Sequence, residues 1–153
     1  MTPYDRLKQL GLELLTPAVP VANYVPFVFA NGFLYLSGQG PRKADGSQHT
    51  GKVGAEVTME QAYLHAQLTG LNLLPVAHLA LGDLGRVRRV VKVLGMVNGI
   101  PTFSDHPKVI NGCSDLLVSV FGDAGKHARS AVGMGSLPGN ISVEIEVIFQ
   151  VDG

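Results

Sequence analysis

Two short runs of aromatic and β-branched residues, Phe27–Ala30 and Phe33–Ser37, flank the pair Asn31-Gly32. That pair accepts the positive φ angles of a type I′ turn, so the pattern predicts a β-hairpin. From Thr58 the period changes. Small and apolar residues recur at helical spacing through Ala62, Ala66, Thr69, Leu73 and Ala77. Thr58 stands at the N-cap with Gln61 in the capping-box position and Gly82 at the far end, which predicts a helix over 59–81. Pro75 lies inside it and leaves the Leu71 carbonyl without its donor, so a bend is expected there. Residues 86–99, RVRRVVKVLGMVNG, are β-branched and alternate loosely, as a strand does. Ser104 is expected to cap a second long helix, with Pro107 in its first turn and Gly122 at its end. Two final strands, Ser130–Ser136 and Ser142–Val151, are separated by the turn sequence Leu-Pro-Gly-Asn. In the last strand strict alternation puts Val143, Ile145 and Val147 on one face and Ser142, Glu144 and Glu146 on the other.

The flanks complete this outline. Residues 1–11 are expected to form an amphipathic helix, started by Thr2-Pro3, stopped by Gly11 and carrying Leu7, Leu10 and Tyr4 on one side. TPAVPVANYVP, with three prolines, is an extended lead-in. Between hairpin and first long helix, residues 38–54 carry five glycines and a proline in a mostly polar stretch, a loop of the length that often bears function. The order is ββαβαββ after a helical lead of about twelve residues. It predicts one α+β domain over 1–153 with two helices on one face of a mixed sheet.

Composition narrows the chemistry. Hydrophobic residues make up 46% and charged ones 16%. That is more apolar surface than a small domain buries alone, so part of it is expected in a subunit interface. Twelve basic and twelve acidic residues cancel, which argues against a phosphate-binding face and so against nucleic-acid partners. No apolar run reaches membrane-spanning length and the N-terminus lacks the features of a signal peptide, so no membrane partner and a cytoplasmic location are expected. The single cysteine, Cys113, rules out an intramolecular disulfide. The five histidines are scattered without zinc-ligand spacing, and SGQGPR follows a strand but enters a loop, unlike a dinucleotide-binding turn.

One stretch carries a resemblance. HARSAVGMGSLPGNISVEIEVIF, at 127–149, is similar to the C-terminal signature of the RidA (reactive intermediate deaminase) family, also labelled endoribonuclease L-PSP. In that signature an Ala-Arg-Ser opens a strand, Leu-Pro turns the chain and a Glu-Ile-Glu strand closes the sheet. Tyr24 precedes Ser37-Gly38-Gln39 as in the family, Gly51-Lys52-Val53 resembles the loop before its first helix, and Asn111 falls where it carries an asparagine. Departures mark a divergent branch: Ala131 replaces a frequent cysteine, His127 a frequent proline, and the loop after Ser37 is longer.

The resemblance implies a chorismate-mutase-like fold, a homotrimer with clefts between subunits, and hydrolysis of 2-imino acids or their enamines to 2-keto acids and ammonia. It implies Arg129 as the carboxylate clamp and Glu144 as the group that orients water or exchanges protons. Tyr24, Ser37, Gly38, Asn111 and Ala131 would shape the substrate pocket. A planar guanidinium suits a carboxylate, and the electrophilic C=N carbon needs only water and a proton source, so neither metal nor organic cofactor is called for. Two alternatives stay open: a non-catalytic trimeric sensor of small carboxylic acids and, in third place, an endoribonuclease. Taken alone, each residue has a plainer role: Arg129 a surface cation, Glu144 an outward strand residue, Tyr24 an anchor, Ser37 a backbone tie.

Overall fold

A computed structural model describes residues 1–19 and 23–152 of the chain. The elements run α1 (Pro3–Gln9), β1 (Phe27–Ala30), β2 (Phe33–Leu36), α2 (Met59–Leu81), β3 (Val87–Val97), α3 (His106–Phe121), β4 (Ala128–Gly133) and β5 (Val143–Val151). This is the expected order, and the fold is the mixed α+β arrangement expected from it. Of the proline-rich lead-in, Pro20, Val21 and Ala22 lie outside the described residues, as does Gly153.

Local chemistry accounts for most element boundaries. Asn31 and Gly32 both take positive φ, 52° and 83°, and close the β1–β2 hairpin as a primed turn does. Thr58 accepts from the Gln61 N–H while Gln61 reaches back to the Thr58 N–H, a complete capping box, and Gly82 ends α2 in the left-handed region. The helix runs unbroken through Pro75, which is buried, as are Ala62, Ala66, Thr69, Leu73 and Ala77. At α1 a second capping box joins Thr2 and Asp5; Leu7 is buried there, whereas Leu10 is exposed rather than on the packed side.

Two boundaries differ from expectation. Asp105, not Ser104, is the N-cap of α3, and it makes no side-chain cap bond. With Pro107 early in the first turn, one backbone N–H that a cap would satisfy is already missing, so the cap is less needed. Strand β4 spans Ala128–Gly133 instead of Ser130–Ser136. Its pairing with β3 is parallel and sets those limits, Lys92 opposite Ala128 and Val97 opposite Gly133. Arg129 therefore lies inside the ladder.

The sheet order is β1-β2-β5-β3-β4, antiparallel except for β3–β4, which the α3 crossover forces into parallel alignment. Helices α2 and α3 pack on one face. Val143, Ile145, Val147 and Phe149 of β5 meet Leu73, Leu74, Ile110 and Leu117 there in a continuous core. Glycines permit the closest approaches. A Cβ on Gly112 of α3 would stand 2.0 Å from the Tyr63 carbonyl oxygen of α2, and one on Gly95 of β3 would stand 2.6 Å from Ile110. Among the described residues no helix packs over the opposite face. It carries Val28, Tyr35 and Val132, all exposed, beside half-buried Leu94, Met96 and Ile148. No helix among the described residues is long and apolar enough to cross a membrane.

Candidate functional site

The sequence-derived residues fall into two groups. The first lies where the hairpin's second strand runs on into the long loop. Tyr24, Ser37, Gly38 and Glu144 line one open cleft of about 580 Å³, together with Pro26, Arg42 and Gln48. The loop is not free: Gln39 pairs with Ile145 of β5, and Asn72 of α2 donates from its Nδ2 to the carbonyls of Gly40 (3.2 Å) and Arg42 (2.9 Å). Ser37 donates its hydroxyl to the Val25 carbonyl at 2.7 Å, so it anchors the segment carrying Tyr24. Tyr24 itself is about half exposed at the cleft mouth.

Glu144 is half-buried and projects from β5 away from the helices, since its neighbours Val143 and Ile145 fill the core. Its Oε2 lies 2.7 Å from where a Cβ on Gly38 would stand, which explains why a glycine follows Ser37. Burial, and secondarily the negative charge of Glu146, raises the Glu144 carboxyl above the ordinary carboxylate range. A carboxyl tuned upward exchanges protons nearer neutrality than a solvated one.

The second group lies at the other edge of the sheet. Arg129 on β4 turns toward α3, where its Nη1 donates to Asn111 Oδ1 at 2.8 Å and to Ser114 Oγ at 3.1 Å. Ala131, two residues on, projects to the same side and packs against the core. No carboxylate forms an ion pair with Arg129 among the described residues. Its Nη1 is held in place by these two neutral acceptors. Glu144 and Arg129 cannot meet within one chain: β3 separates their strands, and one side chain projects away from the helices while the other turns toward them.

Three residues that stand beside these groups were not singled out as site residues from sequence. Arg42 lines the first cleft, donating from Nη2 to the Thr16 carbonyl at 2.5 Å, while its buried Nε has no hydrogen-bond partner among the described residues. Ser114 and His127 stand beside Arg129, their Oγ and Nε2 2.9 Å apart. His127 carried a signal, a histidine in place of proline; an arginine in a polar loop and a serine within a helix carry none. Cys113 is fully buried against α2, and burial drives its thiol up to about 12, so it is an inert core residue. No three His, Cys, Asp or Glu side chains among the described residues gather as metal ligands would.

Comparison with known proteins agrees with this architecture. The family model described as "YjgF/chorismate mutase-like, putative endoribonuclease" matches residues 4–149. Protein TCP17 of Trypanosoma cruzi is 40% identical over 147 residues, covering 95% of this chain and 92% of its own. The crystal structure of Atu1372 from Agrobacterium tumefaciens, a protein of unknown function, is 44% identical with a TM-score of 0.91, covering 98% of this chain and 92% of its own. A structure from Shewanella oneidensis, described as a putative endoribonuclease, is 32% identical with a TM-score of 0.95 and covers 99% and 100% of the two chains. The chain belongs to the YjgF/chorismate mutase-like family, and its fold is that family's fold.

Proposed function

We propose that the protein hydrolyses reactive 2-imino acids, or their enamine tautomers, to 2-keto acids and ammonia in clefts shared between the subunits of a homotrimer. One observation carries this most directly. The groups such a reaction needs are both present but split: an unpaired, hydrogen-bonded guanidinium at one edge of the sheet and a burial-tuned carboxyl in a cleft near the other. A neighbouring copy apposing its β4 edge to this cleft would unite them, and the uncovered apolar sheet face supplies a surface for that packing.

In the joined site the Arg129 guanidinium holds the substrate carboxylate. Water adds to the imine carbon, its O–H proton passing by way of Glu144 to the departing nitrogen. Transfer of the new hydroxyl's proton to the same nitrogen then expels ammonia and leaves the C=O, so the water oxygen enters and the C–N bond breaks with no redox change. The chain's own groups supply these steps.

The test is an amino-acid oxidase that generates imines from a panel of amino acids, with imine loss followed in the presence and absence of the protein. Accelerated hydrolysis is expected. Ala131, which brings no thiol to the Arg129 side, favours a second reading: a trimeric sensor that binds small carboxylic acids without turning them over. Saturable binding of 2-keto acids with no acceleration of imine loss would establish the sensor. Cleavage of RNA, abolished by Arg129→Lys, would revive the endoribonuclease alternative.

A further inference from the structure

Arg129 is held from behind by more than its two direct acceptors. The His127 Nδ1 lies 2.6 Å from the Gly125 carbonyl oxygen, which can only accept, so Nδ1 carries the proton. In the neutral ring Nε2 is then an acceptor, and the Ser114 hydroxyl, 2.9 Å away, must donate to it. With its proton committed to the imidazole, Ser114 turns a lone pair toward Arg129 Nη1 at 3.1 Å. The acceptor at the start of the chain is itself fixed. A Cβ on Gly125 would fall 2.3 Å from the Leu117 carbonyl oxygen and 2.8 Å from Val118 Cα, so the turn is pressed onto the last turns of α3.

We propose that His127 and Ser114 are a positioning pair for Arg129: the neutral imidazole sets the direction of the Ser114 hydroxyl, and that direction holds the guanidinium in place to receive a substrate carboxylate. The inference rests on Arg129 as the carboxylate clamp. A protonated ring would donate from Nε2, displace the Ser114 proton toward another acceptor and set a second cation beside the first. The neighbouring charges do not offset this. Burial first, and then the Arg129 charge, lower the imidazole from its ordinary range, against the raising effect of the Gly125 carbonyl bond. Asp115, next to Ser114, accepts from the Tyr63 hydroxyl at 2.7 Å. Asp123 and Lys126 in the preceding turn pair with each other at 3.1 Å. Lys92 of β3 donates to Ser130 at 3.2 Å.

The test uses the whole protein and two readouts. Binding of 2-oxobutanoate by calorimetry at pH 8 is compared among wild type, Ser114→Ala, His127→Leu, His127→Gln and Arg129→Lys, each checked by sizing and thermal melting. Ser114→Ala and His127→Leu are expected to bind roughly 10–150-fold more weakly, the effect of one lost hydrogen bond to a charged group. His127→Gln retains an acceptor near the Nε2 position and is expected to bind like wild type. As pH falls below the ordinary imidazole range, binding by wild type should weaken while His127→Gln holds. The second readout needs no ligand: ¹⁵N spectra should place the His127 proton on Nδ1, and Arg129→Met should raise the pH at which the ring titrates. Wild-type binding by both Ser114→Ala and His127→Leu, alongside weakened Arg129→Lys, would overturn the positioning pair and spare the clamp. If Arg129→Lys also binds unchanged, or wild type binds no keto acid, the clamp fails instead. A proton on Nε2 would overturn the pair whatever the binding shows.

Discussion

Glu144 owes its position to an absence two strands away in the chain order. The Gly38 backbone passes so close that any side chain there would press on the carboxylate, with Oε2 2.7 Å and Cδ 3.2 Å from the added Cβ. The threatened atoms are the far end of a flexible side chain, so Gly38→Ala should cost little stability. It should nevertheless move the carboxyl off its place in the cleft. The expected outcome is a melting temperature near that of wild type with imine hydrolysis slowed about 10–100-fold, the scale for sub-ångström to ångström misplacement of a reacting group. Away from the cleft, His65 shares a hydrogen bond with buried Ser142 at 2.8 Å and stacks on His49 with ring centroids 4.0 Å apart. Burial, then the nearby His49 and Lys43, pushes its pKa down to about 4 from 6.5. The unfolded chain therefore takes up a proton below pH 6.5 that the folded chain resists until about pH 4. Stability falls as pH drops through that window, by roughly 1–2 kcal/mol once solvent screening of a part-exposed ring is allowed for. Urea unfolding at pH 7, 5.5 and 4.5 should show this slope, and His65→Asn should flatten it.

Where local chemistry decides an element, the sequence announces it: Asn31-Gly32 for the hairpin, Thr58 with Gln61 and Gly82 for α2, alternation for β5. Where tertiary pairing decides, it does not. The limits of β4 come from its parallel ladder with β3, and the start of α3 from a segment whose Asp105 side chain makes no cap bond and faces Lys108 at 3.7 Å instead. The same division holds for the site. Arg129, Glu144, Tyr24, Ser37 and Gly38 are legible through motifs, but nothing local says that Arg129 turns toward α3 or that Arg42 enters the cleft. Close helix packing is equally silent in sequence, because a glycine in a helix reads as a weakness. Gly112 shows otherwise: an added Cβ would meet the Tyr63 carbonyl oxygen at 2.0 Å and Gln67 N at 3.0 Å, backbone atoms that cannot step aside singly. Gly112→Ala should destabilise by about 3 kcal/mol, at the upper end of overpacking. Gly135→Ala, with nothing within 4 Å of the new carbon, should stay within about 0.5 kcal/mol. Denaturant midpoints for the two variants check both.

At the scale of the molecule, the separation of Arg129 from Glu144 becomes an experiment on assembly. If each site takes its carboxyl from one subunit and its guanidinium from the next, neither defect need be repaired in the chain that carries it. Glu144→Gln keeps shape but loses the proton-exchanging group, so hydrolysis should fall about 10²–10⁴-fold with 2-keto acid binding retained. Arg129→Lys keeps charge but loses the two-pronged geometry, so binding should weaken by roughly 1.5–3 kcal/mol. Unfolded together in equal amounts and refolded, the two variants would mix at random in closed three-membered rings. A site with an intact Glu144 facing an intact Arg129 would then arise at about one interface in four, and about a quarter of wild-type activity should return. Separately refolded variants combined afterwards should recover none of it while subunit exchange is slow. Light scattering must first give a trimer mass for both variants. A concentration-independent monomer mass would remove the shared site altogether. Trimers that mix without regaining activity would mean that Arg129 and Glu144 serve separate sites, and the division of the residues into two groups would then reflect two functions.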